Sequence, residues 1–131
     1  MNEENRICAF LWHQGEHEVV FPAECPPVVR YSTHLGNMSA LLSDYRSRFG
    51  DVPFISGGFT DEWMATHTDR GEPVINALKD LCARNERAAY VSSEGLLSNN
   101  QQLGNGDEIH FSRNALNILG KRYFDAFKRL I

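Results

Sequence analysis

Three short apolar runs alternate with stretches of helical periodicity, and this alternation most constrains the fold. The runs are Arg6 to Trp12, Val52 to Ser56 and Ala88 to Ser92. Tyr31, Leu35, Met38, Leu42, Tyr45 and Phe49 follow at steps of four and three, which make one face of a helix. Gly50 and Asp51 end it. Val74, Ile75, Leu78, Leu81 and Cys82 form a second helical face. Ser112 is a good N-cap for a last helix with Leu116, Leu119, Tyr123, Phe127 and Leu130 on its apolar face. Strand, helix, strand, helix, strand, helix predicts a parallel sheet with right-handed crossovers. Continuous apolar strands suit such a sheet, because helices bury both of its faces. Residues 18–30, with Pro22, Pro26 and Pro27, read as loop, as do residues 59–71 and Ser98 to Gly106. Three strands make a narrow sheet, whose open edge or bare face would invite pairing. The expectation is a part of a larger domain, a homo-oligomer, or a chain that meets an N-terminal partner segment.

The 131 residues fit one domain, residues 1–131, with enough chain for a real core. A formal net charge of -4 without a basic run argues against nucleic acid as a partner. The longest apolar run is far too short to span a membrane. Residues 1–5, Met-Asn-Glu-Glu-Asn, lack the basic start and apolar stretch of a secretion signal, so the default expectation is cytoplasmic. Cys8, Cys25 and Cys82 show no metal-ligand spacing. Cys8 and Cys82 read as buried thiols, and Cys25 as a loop residue.

Ligands of parallel sheets bind beyond the carboxyl ends of the strands. Here those ends are polar or glycine-rich: His13-Gln14-Gly15-Glu16, Ser56-Gly57-Gly58 and Ser93-Glu94-Gly95. Asp107 and His110 follow the last strand and belong to the same rim. A histidine held by an acid and facing an amide donor makes up much of an acyl-transfer site. His110 would be the general base, Asp107 would orient its ring, and Gln14 would donate to a developing oxyanion. The plainer alternative is that Asp107 opens a turn and His110 caps or packs.

These residues also carry a resemblance. Phe10-Leu11-Trp12-His13-Gln14-Gly15-Glu16, Pro53-Phe54-Ile55, Tyr90-Val91 with Glu94-Gly95-Leu96, Asp107-Glu108-Ile109-His110-Phe111-Ser112 and Leu119-Gly120-Lys121-Arg122-Tyr123 come in family order. Over roughly residues 6–128 the chain resembles the carbohydrate-esterase branch of the SGNH hydrolases, which includes sialate O-acetylesterase and acetylxylan esterase domains. The resemblance implies a three-layer, flavodoxin-like α/β fold, here cut to three parallel strands with flanking helices. It implies hydrolysis of O-acetyl esters, with an acetylated carbohydrate or other small ester as substrate, and neither a metal nor an organic cofactor. His110 matches the family's base, Asp107 its acid partner and Gln14 its oxyanion amide, with Gly15 and His13 beside it. Glu16 is a second candidate for the acid.

The family's nucleophilic serine stands in G-Q-S or G-D-S at the end of a first strand, ahead of W-H-Q-G-E. Only five residues precede the first strand here, and no serine of this chain stands in such a motif. Ser56 lies at the wrong place in the family order, and Ser92 and Ser93 read as polar strand ends. His17 replaces the usual serine or aspartate after Q-G-E. The chain therefore looks like the C-terminal half of such a hydrolase, with the nucleophile supplied from outside it. The alternative is a catalytically inactive, truncated domain that serves as an interaction or structural unit.

Two rival patterns are present. His13-Gln14-Gly15-Glu16-His17 fits H-x-x-E-H, with Glu94 as a third zinc ligand, but zinc would need both histidines on one helical face, and Gly15 opposes a helix. Trp63, Met64 and His67 could line a sugar-binding rim or pack beneath their loop. Tyr45 and Tyr123 fit core positions, and Asp80 to Arg87 a solvated helix end.

Overall fold

Parallel pairing organises the chain around a sheet of order β1-β2-β3, formed by β1 (Phe10–Trp12), β2 (Phe54–Gly57) and β3 (Ala88–Val91). The structure is a computed structural model and describes residues 5–131. In register, Phe10 faces Phe54, which in turn faces Ala88. The first two strands are shorter at their starts than the apolar runs suggest. Pro53 has no N–H to give the ladder, and its carbonyl accepts from Phe10 at 2.7 Å, so pairing begins there. Residues 6–9 lie outside the strand, and Cys8 is exposed rather than buried.

The helices are α1 (Glu16–Val20), α2 (Pro27–Phe49), α3 (Asp61–Arg84), α4 (Asn99–Leu103) and α5 (Arg113–Leu130). Gly50 ends α2 with φ 82°, and Ser112 caps α5 by accepting from the Ala115 N–H, both as the sequence suggests. Three of the expected loops contain helix. Residues 18–30 include most of α1 and the start of α2, because Pro27 occupies the first turn, where its missing N–H costs nothing. Residues 59–71 are mostly α3, opened by Thr60, whose hydroxyl accepts from the Trp63 N–H. The backbone leaves helical values at His67 (φ -128°, ψ 21°), and Pro73 lies further along. The polar stretch after Ser98 holds α4, closed by a reciprocal capping box between Ser98 and Gln101.

Strand alternation sends residues to two helical layers. Phe54 packs with Met38, Leu42, Leu78 and Leu81 from α2 and α3, and Phe10 and Trp12 join this cluster. Ile55 points the other way, to Leu119, Tyr123 and Ala126 of α5. The fold is thus α/β, a three-stranded parallel sheet with helices on both faces. Leu11, alternating with Phe10 and Trp12 on edge strand β1, remains 56% exposed. Among the described residues, no helix is long and apolar enough to cross a membrane.

Candidate active site

The chain turns sharply where β1 ends. Gly15 has φ 149°, and a Cβ there would lie 2.9 Å from the Phe59 ring. Only glycine fits both the dihedral and the space. This turn leaves His13 at the mouth of the sheet and starts α1 at Glu16. His13 Nδ1 lies 3.0 Å from the Tyr123 hydroxyl, which donates to the Trp12 carbonyl at 3.2 Å. Burial lowers the His13 pKa, and the neighbouring Glu16 partly opposes this.

Asp107 and His110 reach the same place from the other direction. His110 Nδ1 is 3.0 Å from Asp107 Oδ1 and 3.1 Å from Oδ2. The His110 backbone N–H also donates to Oδ1, at 3.1 Å. The Asn99 side-chain amide donates to Oδ2 at 2.9 Å. These donors hold the Asp107 carboxyl down at about 2, with Asn99 the largest influence and the His110 amide next. A carboxylate can only accept, so it fixes the proton of neutral His110 on Nδ1 and leaves Nε2 with a free lone pair. The imidazole itself is open, with 76% of its side chain exposed.

A cleft of about 420 Å³ joins the two parts, lined by His13, Glu16, Ile109, His110, Phe111 and Leu116. His13 packs edge-on to Phe111, 5.6 Å between ring centres. His13, Glu16 and His110 are therefore brought together, with Asp107 behind His110. Glu16 Oε2 accepts from the Gly15 N–H at 3.0 Å and makes no hydrogen bond to His110. The Gln14 amide is turned away and donates to Glu18 Oε2, one helical turn on, at 3.0 Å. Among the described residues, no hydroxyl-bearing side chain lines this cleft.

The other candidates disperse. Ser56 is fully buried, and its hydroxyl has no partner among the described residues. Ser93 is buried and donates to the Phe59 carbonyl. Trp63 sits on α3, 4% exposed, against Phe59, and His67 stacks on it at 4.3 Å, so these residues pack rather than form a rim. The zinc pattern fails on geometry, because His13 precedes α1 while His17 lies within it. Among the described residues no three His, Cys, Asp or Glu side chains converge as a metal site would require. Tyr123 fits a core position in the sequence, and in the structure its hydroxyl also meets His13. Asn99 carries no such signal of its own, although the S-x-x-Q capping box beside it is legible in Ser98 to Gln101.

An imidazole with a buttressed Nδ1 and an open Nε2, beside a shallow cleft, can move a proton to and from a bound hydroxyl. A family model described as carbohydrate esterase, sialic acid-specific acetylesterase, matches residues 1–129. No curated protein matches the chain.

Proposed function

Since this chain belongs to the carbohydrate esterase family of sialic acid-specific acetylesterases, we propose that it supplies the acid–base half of an ester-hydrolysing site whose nucleophile comes from outside the chain. The observation that carries this reading is the Asp107–His110 pair, bonded at 3.0 Å, with His110 lining the cleft. His110 takes the proton of a serine hydroxyl as its oxygen attacks the acetyl carbonyl carbon. The carbonyl electron pair moves onto oxygen, and collapse expels the sugar oxygen, which receives the proton from His110. Water then repeats the sequence on the acyl-serine and releases acetate. Asp107 holds the ring in the useful tautomer and stabilises the imidazolium.

Gln14 serves as an oxyanion donor once its amide leaves Glu18, and the Gly15 N–H is a second donor if Glu16 releases it. His13, fixed by Tyr123, forms the wall of the substrate cleft. An acetylated carbohydrate fits the family and the open, partly polar mouth. The bare edge of β1, with Leu11 exposed, and the exposed Leu116 and Phe124 of α5 support docking of a further segment or subunit that carries the serine.

The absence of a hydroxyl from the cleft lining also favours a second reading, a non-catalytic domain that keeps the histidine and its acid without turnover. Acetate release from O-acetylated sialic acid separates the two. In the assembled protein, His110→Ala is expected to slow release by roughly 10²–10⁴-fold, the usual worth of a positioned general base. Release unchanged by His110→Ala, or no release from the assembled protein, overturns the catalytic reading.

A further inference from the structure

We infer that Asn99 is a positioning residue for the acid–base pair, its amide fixing the carboxylate of Asp107 so that this carboxylate can hold the ring of His110. The inference rests on the reading of Asp107 and His110 as that pair. Packing does not hold the His110 ring, whose side chain is 76% exposed, and Asp107 is only partly buried, at 31%. The last torsion of an aspartate is broad, so hydrogen bonds set the orientation of its carboxylate. Oδ1 is held by the His110 backbone N–H, which lies on the same short turn and moves with it. Oδ2 is held by Asn99 Nδ2, among the described residues the one side-chain donor to it from a different element.

Asn99 is itself tied to both the 107–110 turn and, through its neighbours, α3. Its backbone N–H donates to the His110 carbonyl at 2.8 Å, and the next amide, of Asn100, donates to the Asp107 carbonyl at 2.8 Å. Asn100 Nδ2 donates to Glu62 on α3 at 2.7 Å, and the Ser98 hydroxyl donates to the same carboxylate. A continuous path thus runs from α3 through α4 to Asp107 and His110. Helix capping does not explain the Asn99 side chain, because Ser98 and Gln101 already complete the α4 cap in both directions.

The test is NMR of the full chain with ¹⁵N-labelled histidine and ¹³C-carboxyl aspartate. In the wild-type chain, neutral His110 is expected to carry its proton on Nδ1, and Asp107 to titrate near 2. Asn99→Ala should move the Asp107 midpoint up toward the ordinary carboxylate value, about 3.9, and the ring nitrogens of His110 toward a mixed tautomer. Asn99→Asp keeps the backbone donor and the α4 cap but places an acceptor where a donor is needed. It should shift both signals the same way and further, since two adjacent carboxylates compete for one proton. If Asn99→Ala loses the α4 amide pattern, Asn99→Asp decides. Either folded variant with an unchanged Asp107 midpoint and His110 tautomer overturns the inference, as does a wild-type His110 protonated on Nε2. These signals do not depend on turnover, so failure of hydrolysis alone would sink the proposed function and leave the positioning role standing.

Discussion

The hydroxyl of Tyr123 lies 3.0 Å from Nδ1 of His13 and 3.2 Å from the carbonyl oxygen of Trp12, so the last helix clasps the end of the first strand at the candidate site. Residues 111 and 110 positions apart in sequence meet there through one buried oxygen. Burial pushes the Tyr123 pKa upward, which keeps this hydroxyl a donor across the physiological range.

Tyr123→Phe removes that oxygen and leaves the Trp12 carbonyl without it. The expected cost is about 1–3 kcal/mol, the range for a buried hydrogen-bonding group deprived of its partner. Urea unfolding of the two proteins measures it. If the assembled protein hydrolyses esters as proposed, the same variant should raise KM more than it lowers kcat, because His13 would wall the cleft without moving a proton. An unchanged midpoint would show that the clasp contributes nothing.

Gly57 sits on β2 directly beneath Tyr123, and a Cβ there would clash with the tyrosine hydroxyl. Gly57→Ala must therefore push α5 or the ring aside. Overpacking of this kind costs about 1–3 kcal/mol. The double variant Gly57→Ala with Tyr123→Phe should recover part of the loss, since the clashing oxygen is gone. A strictly additive double variant would contradict this contact.

His34 on α2 is 4% exposed, and its Nε2 has no hydrogen-bond partner among the described residues. Burial lowers its pKa, with Glu18 opposing. The unfolded chain therefore takes up this proton first, near the ordinary histidine value of about 6.5. Stability from this group is present above that pH and is lost as pH falls toward the lower folded value. The slope for one such group is at most about 1.4 kcal/mol per pH unit. His13 acts in the same direction, damped by solvent at the cleft mouth. Urea titrations between pH 8 and pH 5 should show falling stability, and His34→Phe should flatten the fall. A wild-type profile flat over this range would refute the assignment.

Much of the frame was legible because its signals are local. The three apolar runs, Gly50 after α2 and Ser112 before α5 each depend on neighbouring residues only. Alternation of strands and helices then leaves little choice but a parallel sheet. The loops were harder to read. Thr60 followed by Asp61 and Glu62 is a good helix start, but the break at His67, with Gly71 and Pro73 beyond it, disguises the helix that follows. Pro27 looks like a breaker until it is seen to stand in the first turn. Asp107 and His110 could be paired from their spacing, because three residues of turn suffice to join them. The Gln14 amide could not be oriented from sequence. Its partner Glu18 becomes a neighbour only once α1 exists, and Gly15 makes that helix hard to foresee. Cys8 looked buried for the opposite reason: its run is apolar, but pairing starts only at Phe10.

The most direct measurement is a fluorophosphonate reaction on the protein isolated with whatever it associates with in its source cells, followed by mass mapping of the modified serine. The expected result is an adduct on a serine outside this chain, formed quickly with His110 present and lost in His110→Ala. An adduct on one of this chain's own serines, no modified serine at all, or labelling at full rate without His110 would contradict the claim that this chain lends its imidazole to a nucleophile from elsewhere.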